Sequence, residues 1–437
     1  MRKGGLLGFL ILLVAVLMLA AAACGGDDDD GDGDGGGGGA VEALPSASCG
    51  PIRQGDEEPD ALIASDLPLQ GANRALTTEM ADAIEFILEQ NEWKAGDTVL
   101  GYQSCDDSTA QAGSWDSAKC SSNARAYANN DSVIGLIGTF NSGCAKLVLP
   151  IANRATLPMV SPANTYPGLT EGGPGTEAGE PDNYYPTGTR TYARVVWNDQ
   201  FQGAANAQYA EELGVKRVFV LNDSETYGLG IATLFAEYAE KLGIEILGNQ
   251  KWDKDASSYE SLASRIRSSG ADAVFLGGIV CNNGGKLIKD IKAGAPDVQL
   301  LGPDGWTPID ATIEGAGASA NEMYITQPGI PVEQLTGAGK EFVDGFTEEH
   351  GKAPNPYTAY AAQAAEVLLA AIEKGGTDRA AVASALFETD IQDGIVGSFQ
   401  IDENGDTTLG AVSVYQVQNG EETYVKTVTP ELEFVEG

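Results

Sequence analysis

The sequence predicts an α/β fold of two doubly wound domains with a ligand cleft between them, and three observations predict it. From about Ala61 onward, short apolar runs alternate with amphipathic stretches, the rhythm of parallel strands separated by helices. Polar residues follow directly on several of the apolar runs, where an open α/β sheet keeps its ligand loops. The alternation also extends over roughly 380 residues, too many for a single core.

The chain begins with a basic start (Arg2, Lys3), a leucine-rich apolar stretch and Ala21-Ala22-Ala23-Cys24. This is the pattern of a secretion signal over residues 1–23, and a cysteine after small residues resembles the bacterial lipobox. Cys24 is then the lipidated first residue, although Ala21 stands where that pattern more often has leucine. The alternative is an uncleaved transmembrane anchor. Leu6 to Ala23 is just long enough for one, but an aspartate run follows it where a basic flank would be expected. Both readings place the folded part outside the cytoplasm, tethered to the membrane.

Residues 24–57 read as the lipidated cysteine and a disordered tether, since Gly25 to Gly39 contains only glycine and aspartate and cannot bury a core. The formal net charge of -37 disfavours phosphate backbones and anionic lipid head groups, so no nucleic-acid partner is expected.

In the first half, strands are expected near Ala61 to Ser65, Val99 to Tyr102, Val133 to Ile137 and Pro158 to Ser161. Helices near Thr77 to Gln90, Ala118 to Asn129 and Cys144 to Ala155 separate them. In the second half, Val215 to Leu221 is a strand, Tyr227 to Leu242 a helix ended by Gly243, and Ile244 to Leu247 a strand. Tyr259 to Ser268 is a helix with Tyr259, Leu262 and Ile266 on one face; Gly270 stops it before the buried strand Ala273 to Leu276. Another strand is expected over Val298 to Leu301. Gly397 to Val428 alternates and contains the turns Glu403-Asn404-Gly405-Asp406 and Gln418-Asn419-Gly420, so it reads as hairpins.

Gly138-Thr139-Phe140-Asn141-Ser142-Gly143-Cys144 and Pro162-Ala163-Asn164-Thr165 follow two of the strands and offer hydroxyls and helix-start amides that suit a carboxylate. In the second half the strand-end loops are Asn222 to Gly228, Gly277-Gly278-Ile279 and Gly302-Pro303-Asp304-Gly305-Trp306, the last a carboxylate beside a large aromatic.

In order and spacing, the pieces VIGLIGTFNSG, MVSPANTYPGLT, VLNDSETYG and LLGPDGW resemble the type I periplasmic binding proteins of ABC importers, and within them the leucine/isoleucine/valine-binding proteins. The resemblance runs from about Leu62 to Gly410. It implies that Ser142 and Thr165 grip an amino acid's α-carboxylate, that the Ala163 carbonyl and Asp304 grip its α-ammonium, and that Tyr227 closes over it. It further implies a hinge of three crossovers near Thr189, Ile325 and Ser398. The lobes would be residues 58–190 plus 326–398 and 191–325 plus 399–437. The implied partners are a small-molecule ligand, an ABC permease and its ATPase. The chain is expected to act as a monomer, with no cofactor and no metal.

Two departures stand out. Asp304 occupies a position usually held by glutamate, and Asn164 replaces a small apolar residue, so Asn164 could select a ligand other than leucine. Tyr227, Ile279 and Trp306 suggest an apolar or aromatic wall.

Each residue also has a plainer reading. Ser142 and Thr165 could cap helices, Tyr227 and Trp306 could pack, and Asp304-Gly305 could be a turn.

Setting Cys24 aside leaves Cys49, Cys105, Cys120, Cys144 and Cys281, without metal-type spacing. Cys105 with Cys120 is the favoured pair because the two bracket the loop Asp106 to Lys119. The resemblance offers Cys105 with Cys144 instead.

An enzyme is disfavoured, because the single histidine, His350, lies in a polar helix end with no nucleophile motif. The alternatives kept are an amide or an aromatic or other small carboxylate as ligand, and a sensor that signals to a membrane receptor.

Overall fold

The computed structural model describes residues 40–436; Cys24, the signal and the Gly/Asp run lie outside the described residues. The first lobe runs through β1 (Ala61–Leu67), α1 (Arg74–Gln90), β2 (Lys94–Ala95), β3 (Thr98–Asp106), a small flap of β4 (Ser108–Thr109) and β5 (Ser114–Trp115), and α2 (Ser117–Asn129). It continues through β6 (Val133–Gly138), α3 (Ser142–Arg154), β7 (Met159–Ser161) and β8 (Tyr192–Arg194).

The second lobe follows with α4 (Asp199–Glu212), β9 (Arg217–Asn222), α5 (Thr226–Lys241), β10 (Glu245–Lys251) and α6 (Glu260–Ser269). Then come β11 (Ala273–Gly277), α7 (Gly284–Gly294), β12 (Gln299–Gly302), α8 (Ile309–Ala316) and β13 (Tyr324–Pro328). The chain returns to the first lobe for α9 (Ala338–His350), α10 (Pro356–Gly375), α11 (Arg379–Leu386) and the hairpin β14 (Asp390–Gly394) and β15 (Gly397–Gln400). It ends in the second with β16 (Val412–Gln418), β17 (Glu421–Val428) and α12 (Leu432–Glu436).

The first sheet has the order β2-β3-β1-β6-β7-β8 and the second β10-β9-β11-β12-β13-β16-β17. Both are parallel except at β2, β16 and β17. Every residue of β1, β6 and β11 is buried, as expected for strands covered on both faces. Connections change side between β1 and β6 and between β9 and β11, so loops diverge at those strand ends and leave room for a ligand.

The predicted α/β class is borne out, with shifts at the boundaries. β8 lies in the first sheet and β13 runs to Pro328 in the second, so the first two crossings fall a few residues later than expected. The third lies between Gln400 and Val412. Gly270 takes the left-handed conformation (φ 73°) that ends α6, and Asn419-Gly420 (φ 56° and 81°) turns the β16–β17 hairpin.

The disordered tether expected over residues 24–57 does not include residues 44–53. Leu44 and Cys49 are buried, and residues 48–53 lie antiparallel along the outer edge of β3, with Arg53 and Tyr102 exchanging backbone hydrogen bonds of 2.8 Å. This covers an edge that β2 pairs only at its start.

Both expected cysteine pairings are overturned for the same reason. Cys105, on that edge, bonds Cys49, while Cys120 in α2 bonds Cys144 in the adjacent α3. The loop that Cys105 and Cys120 bracket is closed instead by Asp116 N–H donating to Asp107 O (2.8 Å) and by Lys119 reaching Asp106 (3.0 Å). Among the described residues Cys281 is the cysteine outside a disulfide.

The hinge carries a buried ion pair. The fully buried Arg194, at the end of β8, sets Nε 2.5 Å from Oδ1 of Asp406. Its Nη1 donates to the carbonyls of Asn164 (3.1 Å) and Tyr166 (2.9 Å), and its Nη2 to the Thr170 hydroxyl. The Trp197 indole donates to Ala411 O at 2.7 Å, joining two of the crossings. The turn Glu403 to Asp406 is thereby tied to the first crossing. Its Gly405 (φ 97°) cannot take a side chain, since a Cβ would come within 2.3 Å of Tyr192 O.

Candidate functional site

A cavity of about 30 Å3 lies between the lobes where the divergent strand ends face each other. Its first-lobe wall comprises Phe140, Asn141 and Ser142 after β6, Ala163 and Thr165 after β7, and Tyr357 from the first turn of α10. Its second-lobe wall comprises Tyr227 from α5, Ile279 after β11, and Asp304 and Gly305 after β12. The volume holds about one water molecule, far less than an amino acid, so the lobes stand in a closed arrangement. A groove of about 870 Å3 between α1, α8 and the end of α9 is larger, but helix flanks carrying charges of both signs form most of it, and only Gly71 and Ala72 come from a strand-end loop.

Six sequence-predicted residues line the cavity: Ser142, Ala163, Thr165, Tyr227, Ile279 and Asp304. Ser142 is the first residue of α3, with Asn141 at the cap position, and its hydroxyl accepts from Tyr166 N–H at 3.3 Å. The Ser142 and Gly143 amides that open α3 have no partner within the helix and are available to an anion, whereas those of Cys144 and Ala145 donate to Asn141 O. Gly143 lets this loop approach Trp115, since a Cβ there would sit 2.6 Å from the indole.

Two predicted residues lie elsewhere. Asn164 turns away from the cavity: its Nδ2 donates to Phe140 O (3.0 Å) and Thr139 Oγ1 (3.3 Å), and its Oδ1 accepts from the Tyr192 hydroxyl (3.3 Å). With its polar atoms engaged, it braces the two ligand loops and offers nothing for selection. Trp306 is fully buried in the second lobe, its indole donating to Leu276 O at 2.6 Å, so it packs and forms no wall.

Asp304 is the chemical centre of the second wall. Its Oδ1 accepts from the Tyr227 hydroxyl at 2.5 Å and its Oδ2 from the Tyr357 hydroxyl, a bond that crosses the cleft. Burial pushes the Asp304 carboxyl above its ordinary range, and the two tyrosine hydroxyls partly oppose that shift. Two more contacts join the lobes: Trp115 Nε1 donates to Glu225 Oε2 (3.1 Å), and the Cys281 thiol donates to Asn73 Oδ1 (3.4 Å).

Sequence reasoning missed Tyr357 in the wall and, outside the wall, Asp199, whose amide donates to the Thr165 carbonyl at 2.7 Å. Tyr357 belongs to a helix and not to a strand end, so no strand-end search reaches it. Asp199 opens α4, is fully buried, and has both carboxylate oxygens unpartnered. The signal was the doublet Asn198-Asp199. Asn198 caps the helix by accepting from Gln200 N–H at 2.9 Å, which leaves the second side chain free to turn inward.

Asp223 shapes the Ile279 loop by accepting from Ile279 N–H (3.0 Å) and Asn282 Nδ2 (2.9 Å). Burial and the Glu225 charge push its carboxyl up to about 7. Burial, opposed by hydrogen bonds from Asn123 and Tyr127, pushes Asp66 in the first lobe to about 7 as well.

These shifts fix the sign of a pH effect. A carboxyl raised on folding ionises first in the unfolded chain, so stability falls as pH climbs from about 4 to about 7. Asp106 and Glu180 are shifted down, and they cost stability only below the ordinary carboxyl range. The urea midpoint without ligand is therefore expected to be higher at pH 5 than at pH 8. A midpoint that rises over that interval would contradict the assignment.

Enclosing a small solute between two lobes that meet over it is the working principle of a cleft-type solute-binding protein, the class that fold and site define. The chain belongs to the periplasmic binding protein family, whose model matches residues 67–422. It is 28% identical over 296 residues to the leucine-, isoleucine-, valine-, threonine- and alanine-binding protein of Pseudomonas aeruginosa, spanning 66% of this chain and 72% of that one. A leucine-binding protein from Thermotoga maritima superposes with a TM-score of 0.74 at 25% identity, covering 85% of this chain and 99% of that one. A solute-binding protein of R. palustris in complex with benzoate shares the fold at a TM-score of 0.70 and 17% identity, over 84% and 96% of the two chains. The family assignment implies an extracytoplasmic location.

Proposed function

We propose that the chain captures an amino acid, branched-chain or related, in the interlobe cavity and delivers it to an ABC permease and its ATPase, held at the membrane through a lipidated Cys24. The observation that carries this reading is the polarity of one cavity. Hydroxyls and helix-start amides (Ser142, Thr165) stand on one side and a carboxylate (Asp304) on the other, matching the two ends of a zwitterion. Phe140, Ala163 and Ile279 add apolar surface for a side chain. The likeness to binding proteins for leucine and related residues points to the same ligand class.

The reading assigns the site no covalent chemistry. His350 stacks on Phe346 at the end of α9 and takes no part in the cavity wall. Closure is the signal in this scheme: the liganded form presents both lobes at the spacing a permease recognises. Delivery to a sensor receptor would use the same cleft and closure.

A second reading, an aromatic carboxylate, is favoured by the benzoate complex that shares the fold. Such a ligand would satisfy the Ser142 side and leave Asp304 without a counter-charge.

Isothermal titration of refolded protein with leucine, isoleucine, valine, short amides and benzoate separates the readings. An α-amino acid is expected to bind at micromolar affinity or tighter, weakened by more than about 1.4 kcal/mol in Ser142→Ala. Binding confined to ligands without an α-ammonium would overturn the amino-acid reading.

A further inference from the structure

Asp107, the residue after β3, is fully buried, and neither of its carboxyl oxygens has a hydrogen-bond partner, an arrangement that is costly unless something else satisfies it. Its backbone is pinned on both sides: the amide donates to Leu67 O at 3.1 Å and the carbonyl accepts from Asp116 N–H at 2.8 Å. What the carboxyl faces is a disulfide. One of its oxygens and the sulfurs of Cys120 and Cys144 all lie within 4.8 Å of one another. Cys49–Cys105 has no such neighbour among the described residues. Asp106, next to Cys105 in the chain, already accepts from Gln70 (2.6 Å), the Ser108 amide (2.8 Å) and Lys119 (3.0 Å).

A disulfide has no proton to give, so the oxidised pair leaves Asp107 unsatisfied. Two thiols in the same place would each carry an S–H donor, and a carboxyl accepts whether or not it is ionised. The carboxyl therefore favours the reduced pair over the oxidised one. Cys144 is also the third residue of α3, and a helix N-terminus lowers a thiol's pKa and makes its sulfur the better leaving group. We infer that Cys120–Cys144 is a redox-reactive site, a disulfide that a small dithiol opens more readily than Cys49–Cys105, with Asp107 as the acceptor that holds its reduced form. In that reaction a thiolate of the reagent bonds to Cys120 Sγ, and the bond between Cys120 and Cys144 breaks. The reagent's second sulfur then bonds to its first and releases Cys120. Two electrons pass to the protein, Cys120 and Cys144 take up two protons to match the two the reagent gives up, and the reagent leaves as a cyclic disulfide.

The same bond ties the ligand wall to the body of the first lobe. It joins α2 to the first turn of α3, which begins with Ser142. Opening it frees the turn that presents the Ser142 hydroxyl and amides, so the reduced protein grips a carboxylate less firmly; this consequence rests on the amino-acid reading above. Both cysteines are fully buried, and the first turn of α3 lies against the Trp115 indole, which donates across the cleft to Glu225 at 3.1 Å. Parting the lobes breaks that bond and frees the flap over α3, so a bound ligand protects the disulfide. By linkage, the factor that reduction takes from ligand affinity is the factor by which ligand raises the reductant needed.

The test equilibrates the full chain in mixtures of reduced and oxidised dithiothreitol, quenches with acid, alkylates the thiols, and reads each cysteine by peptide mass. Cys120–Cys144 is expected to open at a ratio of reduced to oxidised reagent at least about tenfold lower than Cys49–Cys105, close to 30 mV for a two-electron couple. Asp107→Leu is expected to raise the ratio needed for Cys120–Cys144 at least about tenfold and to leave that for Cys49–Cys105 within about twofold. Titration with L-leucine before and after selective opening is expected to show at least about threefold weaker binding by the reduced chain, and saturating leucine to raise the opening ratio by the same factor. Opening of Cys49–Cys105 first, or an unchanged ratio in Asp107→Leu, would overturn the redox assignment while leaving amino-acid capture intact. Equal leucine affinity in both redox states would overturn the link to the cavity. Failure of every α-amino acid to bind would overturn the capture reading and that link together, with the two opening ratios still deciding the redox assignment. The comparison of the two disulfides in the unaltered chain keeps the test decisive even if the variant folds poorly.

Discussion

Asp304→Asn is expected to weaken amino-acid binding about a hundredfold, close to 3 kcal/mol, because it removes the anion opposite the ligand's ammonium. The side chain keeps its volume and one acceptor oxygen, so the Tyr227 and Tyr357 hydroxyls that converge on it lose less than they would in Asp304→Ala. The same substitution removes a buried carboxyl that folding pushes up, so the ligand-free protein is expected to be at least as stable at pH 8 as the parent. Lost affinity with retained stability marks a binding residue, whereas an unfolded variant would mark a structural one. Titration calorimetry and a urea curve on the same preparation read both quantities. Undiminished leucine affinity in this variant would remove Asp304 from the grip and, with it, the zwitterion argument.

The sequence carried the part of this site that obeys a simple geometric rule. Loops at the carboxyl ends of parallel strands converge, so Ser142, Thr165, Ile279 and Asp304 could be picked out because each follows an apolar run. Residues that reach the cavity from other directions were not legible. Tyr357 is the example, coming from α10, more than fifty residues beyond Asp304. Trp306 and Asn164 failed for a related reason. Position in a loop was visible, but which way a side chain points depends on neighbours such as Leu276 O and Phe140 O that only the fold supplies. The Cys49–Cys105 bond was hidden because residues 41–57 show neither helical nor strand periodicity; their place is set by an open sheet edge. The clearest undervaluation was Asp406. A Gly-Asp turn at the surface and a Gly-Asp turn at a hinge look alike in sequence, and only Arg194 separates them.

That pair gives the largest stability effect expected in the molecule. Asp406→Ala leaves the Arg194 guanidinium charged and fully buried without a directly bonded carboxylate, held by carbonyls and the Thr170 hydroxyl with Glu171 as the remaining nearby counter-charge, so unfolding free energy is expected to fall by about 3–5 kcal/mol. Replacing both partners with apolar residues of similar size, Arg194→Met with Asp406→Leu, is expected to recover most of that loss, because the penalty comes from an unpaired charge more than from the lost attraction. The urea midpoints of the parent, single and double variants measure this. Equal loss in the single and double variants would show that the contacts to Asn164 and Tyr166 outweigh the charge pairing. Those contacts also give the hinge a second effect. Arg194 holds the carbonyls on either side of Thr165, so a guanidinium released from Asp406 loosens the loop that faces the ligand. Under conditions where both variants are folded, amino-acid affinity is therefore expected to drop further in the double variant, which lacks the guanidinium altogether, than in Asp406→Ala, even though the double variant is the more stable protein.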